Sequence, residues 1–142
     1  DAVYTLEPTG TVGRLNGTCR ALEYGVISHY VLGNASLPWF GGSASLTSAF
    51  LASSPELSKR FIAAYGQAID MVRKDPVKVR PFLKGYTSID DQLAREVPLP
   101  GFTLYNEFKP ADIEAFQKFF DVFHDRKLFA RRVPVADMLY RG

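Results

Sequence analysis

The chain has 142 residues, 46% apolar and 23% charged, which is the make-up of an ordinary globular domain and excludes a disordered segment. Seventeen basic against fifteen acidic residues leave a net charge of +2, too small and too dispersed for a nucleic-acid footprint, and no nucleic-acid partner is expected. A single cysteine, Cys19, forbids an intrachain disulfide, and no apolar run is long enough to span a bilayer.

Ala2 to Leu6 is β-favouring and bounded by Glu7-Pro8-Thr9-Gly10, which predicts a strand running into a turn. TGTVGRLNGT, residues 9–18, holds three glycines without apolar periodicity and predicts a loop with at most one helical turn over Val12 to Leu15. No GKS, GKT or GxGxxG accompanies those glycines, so a phosphate cradle is not expected. Cys19 to Ile27 is weakly strand-like, with His29 to Leu32 as its extension. Leu37-Pro38-Trp39-Phe40-Gly41-Gly42 is the composition of a bend or a binding rim, with Trp39 half buried at the corner. Ser43 to Leu51 is small and apolar enough for an interior strand.

Ser54 to Pro76 carries the clearest signal in the chain. Ser54 suits the N-cap, Pro55 the first helical position and Glu56 the positive end of the dipole, while Arg73, Lys74 and Pro76 suit the end. At 100° per residue Leu57, Phe61, Tyr65, Ala68 and Val72 form one stripe, flanked by Ile62 and Ile69, with charge opposite. Val77 to Gly85 predicts a second helix in which Pro81 sits uneasily, and Ser88 to Val97 a third, capped by Ser88. Phe102 to Leu104 reads as a brief strand. Pro110 opens a last long helix whose Ile113, Phe116, Phe119, Phe120 and Phe123 share one arc, and Val135 to Tyr140 reads as a short closing helix.

Catalytic chemistry is not indicated. His29 and His124 lack metal-ligand spacing, no GxSxG surrounds a serine, and Asp90-Asp91 and Asp121-Asp125 read as helix-start and solvated carboxylates rather than an acid-base pair. Asn16-Gly17-Thr18 and Asn34-Ala35-Ser36 match the glycosylation triplet, a pattern short enough to arise by chance. No catalytic residue, metal or cofactor is expected.

DAVYTLEPTG, then GTCRALEYG, then the proline-glycine crossing before ASSPELSKRFIAAYGQAIDMVRKDP, and finally the helix from Pro110 to Arg126, resemble in order the second half of the periplasmic solute-binding proteins of ABC importers. The branch is the one that takes alkanesulfonates, taurine, nitrate or thiamine pyrimidine precursors. The resemblance implies an α/β fold, part of a two-lobed type II binding-protein architecture, helix-rich with a few short strands. Residues 1–40 would then end the second lobe, and 41–142 would be the crossover and the C-terminal helical portion of the first. It implies a substrate-binding component of an ABC transporter holding a small solute in an interlobe cleft, with a membrane permease as partner and a periplasmic location for the full-length protein. The chain would be a piece of that protein, without its N-terminal half and signal sequence, and a homodimer of the shortened chain is a corollary.

By the same resemblance Thr5, Glu7 and Pro8 lie at the cleft edge, Glu7 accepting from an amine or pyrimidine amino group and disfavouring an anionic solute. Glu7 as a cap on the following turn is the plainer reading of that residue. Tyr4 and Trp39 are stacking candidates. Two alternatives stand beside this: a pyrimidine-precursor synthase-like enzyme of the same fold, whose cysteine-rich motif this chain lacks, and a helical regulatory or interaction domain, which a structure without parallel strands would favour.

Overall fold

The computed structural model describes residues 1–85 and 89–142. Its elements are α1 (Thr9–Leu15), a π turn (Ile27–Val31), α2 (Ser48–Ser53), α3 (Pro55–Lys74), α4 (Pro76–Val79) running into a 3₁₀ turn (Arg80–Leu83), α5 (Asp91–Glu96), α6 (Pro110–Asp125) and a 3₁₀ turn (Val135–Asp137). About half the chain is helical, 52% against 1% strand, and this overturns the expected α/β fold: among the described residues there is no sheet.

The predicted strands fail for a common reason. Ala2 to Leu6, Cys19 to Ile27 with its extension to Leu32, Ser43 to Leu51 and Phe102 to Leu104 have strand-compatible composition, but a strand is stable only where a neighbour accepts its backbone hydrogen bonds. No described segment supplies that neighbour. Ala2 to Leu6 therefore stays unpaired and exposed, Ile27 to Val31 coils, and Ser48 to Ser53 becomes α2, with Thr47 Oγ1 accepting from the Phe50 amide at 3.1 Å.

The predicted loop at 9–18 is also largely helix. In α1 the Thr11 amide donates to Glu7 Oε2 at 3.1 Å, which satisfies one of the open N–H groups of the first turn. Gly13 is needed there despite its poor helix propensity, because a Cβ at that position would lie 2.4 Å from Cys19 Sγ.

The helical expectations fare better, since caps and prolines act locally. α3 starts at Pro55 and ends at Lys74 as its signals imply, although Ser54 contributes its carbonyl, which accepts from Ser58 N and Oγ at 2.9 Å each, and not a side-chain cap. Asp75 ends α3 and caps α4 through the Lys78 amide at 3.1 Å. The second predicted helix tightens to 3₁₀ geometry from Arg80, next to Pro81, and Gly85 takes the expected positive φ of 83°. The expected cap Ser88 lies outside the described residues. Asp90 fills that role, accepting from the Leu93 amide at 2.7 Å. α6 runs from Pro110 to Asp125, with Asp112 Oδ2 accepting from the Lys109 amide at 2.9 Å.

The chain forms two units, interleaved in sequence. The first comprises Asp1–Leu22 and Leu46–Phe102 and buries Thr11, Ser58, Ile69, Leu93, Ala94 and Val97. Arg80 fastens the C-terminal end of α5, donating from Nη1 to the carbonyls of Ala94 (2.9 Å) and Val97 (2.8 Å), and Arg73 Nη2 donates to the Phe102 carbonyl at 2.7 Å. The second unit comprises Glu23–Ser45 and Thr103–Gly142. Its core is aromatic: Phe116 packs 5.2 Å from Phe40 and 5.1 Å from Phe120, and Phe123 lies 5.1 Å from Phe119 and 5.3 Å from Phe129.

Surface area shows how little of the apolar content is covered. Two free-standing units of these lengths would together expose about 8,800 Å² by the usual size scaling. This chain exposes 10,712 Å², and the surplus includes Leu57, Phe61, Met71 and Phe82 of the first unit. Among the described residues no helix is long and apolar enough to cross a membrane.

Candidate functional site

Tyr4, Thr5, Glu7 and Pro8 form one continuous approach to α1 in the first unit. Tyr4, Thr5 and Glu7 are exposed and Pro8 is half buried. The Leu6 carbonyl accepts from the Thr9 amide at 3.1 Å, which turns the chain into the helix, and the Glu7–Pro8 peptide within this turn is cis. One Glu7 oxygen, Oε2, is taken by the Thr11 amide, the capping role. The other, Oε1, faces Gly10, where a Cβ would approach it to 3.2 Å. Glu7 is thus a carboxylate held by backbone at the head of a helix, with one oxygen left for a donor from solution.

Trp39 belongs to the second unit, so the five predicted site residues do not make one described cluster. It is half buried, edge-on to Phe119 at 6.1 Å, and its indole Nε1 is buried without a hydrogen-bond partner among the described residues. Gly41 permits this placement: a Cβ there would lie 2.7 Å from the indole ring. Stacking Trp39 on a solute would require the indole to leave this packing.

Two further clusters escaped the sequence reading. At the π turn, Glu23 Oε1 lies 3.1 Å from His29 Nδ1, Tyr30 Oη donates to Glu23 Oε2 at 3.0 Å, and the two rings stack at 4.4 Å. The His29 hydrogen bond, and after it the Tyr30 one, lowers the Glu23 pKa, while the same carboxylate raises that of the Tyr30 phenol. All three side chains are exposed, so the cluster orients an imidazole without enclosing anything. Its only sequence signal is a carboxylate six and seven residues ahead of the His-Tyr pair.

On α6 Asp121 is not simply solvated, as its spacing from Asp125 implied. It accepts a two-pronged bond from Arg132, Nε to Oδ1 at 2.8 Å and Nη2 to Oδ2 at 2.9 Å, which holds its carboxyl below the usual range. Gln117 completes the clamp on the C-terminal segment. Its amide nitrogen donates to Asp121 Oδ1 (2.7 Å) and the Val133 carbonyl (3.1 Å), and its oxygen accepts from the Val135 amide (2.8 Å).

An open apolar groove of about 390 Å³ lies in the first unit, lined by residues of α3, α4, the following turn and the Leu99–Phe102 segment. That volume is in the range of small-molecule sites, but among the described residues its lining has no convergent polar groups, which give such sites specificity. Among the described residues no group of three His, Cys, Asp or Glu stands where it could hold a metal ion. Comparison with protein-family models, with curated proteins and with solved structures finds no match for this chain.

Proposed function

We propose that this chain is a solute-binding component of an ABC importer, acting by binding and not by turnover. The reading rests on the ordered sequence resemblance, and the observation that carries it is Glu7: an exposed carboxylate, fixed by the Thr11 amide through Oε2, whose Oε1 is left for a donor from solution. A carboxylate so placed selects a neutral or cationic solute bearing an amine or amino-pyrimidine group and repels sulfonate or nitrate. The test is thermal unfolding against a millimolar panel of amines, aminopyrimidines, sulfonates and nitrate. An amino solute at a hundred times its Kd raises the unfolding free energy by about 2.7 kcal/mol, and Glu7→Gln removes that gain. A panel without any shift, or a shift untouched by Glu7→Gln, contradicts the proposal.

A second reading is favoured by a different observation. The near absence of strand, with an apolar face of α3 left open, supports a helical interaction domain whose partner is a polypeptide.

A further inference from the structure

The predicted stripe of α3 is rotated from its expected use. Ser58 and Ile69 are buried and Ile62, Tyr65 and Val72 half buried, whereas Leu57 is 52% exposed, Phe61 46% and Met71 53%, with Ala64 and Ala68 exposed between them. Positions 57, 61, 64, 68 and 71 alternate in steps of four and three, the spacing of a helix-packing seam. At its C-terminal end Ala68 and Met71 run into the apolar groove, where Phe82 is 64% exposed. Seam and groove together form a ridge with a socket, the shape that seats a helix carrying a bulky anchor.

The area fits a protein partner. One side of a standard interface covers about 800 Å², a little over half of it apolar, or about 450 Å². Leu57, Phe61, Met71 and Phe82 in their observed exposure offer on the order of 400 Å².

Charge decides which partner. The margin of the seam formed by Ser58, Tyr65 and Val72 faces the core, and the other margin carries Arg60, Gln67 and Lys74 at seven-residue spacing. The nearby acids are engaged: Glu56 with Lys59 (2.9 Å), Asp70 with Arg73 (3.9 Å) and Asp75 with the Lys78 amide (3.1 Å). Arg60, Lys74 and the Lys78 ammonium have no such counter-ion among the described residues. A second copy packed antiparallel would set Arg60 and Lys74 against Lys74 and Arg60, and a parallel copy would need the margin already used by the core. Both arrangements are unfavourable for self-association.

We infer that the Leu57–Met71 face of α3 and the adjoining groove are a docking site for an amphipathic helix of another polypeptide, apolar at three-four spacing and flanked by Asp or Glu. The inference builds on the second reading above and is independent of the solute. The probe is a fluorescein-labelled 18-residue helical peptide with Leu at three-four spacing, one Phe anchor and Glu flanks, compared with the same peptide carrying Lys flanks. Anisotropy at low salt gives at least tenfold tighter binding of the Glu peptide, and half-molar salt brings the ratio toward one. Arg60→Glu with Lys74→Glu inverts the preference, and Phe61→Glu, or Leu57→Ala as the milder variant, weakens binding at least tenfold and threefold respectively with unchanged far-ultraviolet dichroism. Equal affinity for the two peptides, no binding at 100 µM, or indifference to these variants overturns the inference. A dimer mass in light scattering that Phe61→Glu abolishes overturns it in favour of a second copy. A solute-dependent thermal shift without peptide binding removes this site and leaves the solute reading standing.

Discussion

α3 and α6 have almost the same sequence description and opposite fates. Each begins at a proline, each has acidic residues in the first turn and each collects its large apolar side chains on one arc. The arc of α6 is met by Phe40, Phe129 and Trp39 from flanking loops, with Phe108 packed in turn on Phe40, so its phenylalanines are half buried and interlocked. The arc of α3 is met along one margin only, and Leu57, Phe61 and Met71 remain open. Amphipathicity therefore states that a face packs, not that its partner lies in the same chain.

The sharpest way to break this contrast is truncation of one phenylalanine on each arc. Phe116→Ala, which removes the ring packed against Phe40 and Phe120, is expected to destabilise the second unit by about 2–3 kcal/mol. Urea unfolding followed by the emission of Trp39 reads that unit alone, since the chain has one tryptophan. Next in size is Gln117→Ala, which strands the amide of fully buried Val135 and costs about 1–3 kcal/mol in the same assay.

A smaller effect appears with pH. The Asp121 carboxyl is held below its ordinary value of 3.8 by Arg132, so its contribution is complete above that value and is lost as pH falls through the lower, folded-state value. The urea midpoint of the native chain should exceed that of Asp121→Asn by a constant margin above about pH 5, with the margin shrinking as pH falls below 3.8. Smallest of all is Phe61→Ala on the open arc, expected to change stability by about 0.5 kcal/mol or less while weakening the binding of a docked helix. A loss comparable to that of Phe116→Ala would erase the distinction between the two helices.

What was legible in the sequence follows the range of the forces involved. Pro55, Glu56, Arg73 and Lys74 mark α3 because capping and dipole effects act within one turn, and the same holds for Pro110 in α6. Strands were misjudged because Val3, Tyr4 and Leu6 carry β propensity that only a neighbouring strand can realise. α1 was missed because its support, the Glu7 carboxylate on Thr11 and the closeness of Cys19 to Gly13, is invisible in glycine-rich composition. Glu7 reads from the sequence both as a cap on the turn that follows and as a cleft residue, and its bond from the Thr11 amide is a capping bond. Of the Gln117 clamp only the i,i+4 pairing with Asp121 had a sequence signal, since Val133 and Val135 are brought within reach only when the chain reverses after α6.

The lone thiol, Cys19, is exposed and falls in the first unit, whereas the lone indole falls in the second. A maleimide-linked acceptor on that sulfur would quench tryptophan emission to a degree set by the separation of the two units. Each unit thus carries its own reporter, a labelled thiol for the first and the indole for the second, without any engineered residue.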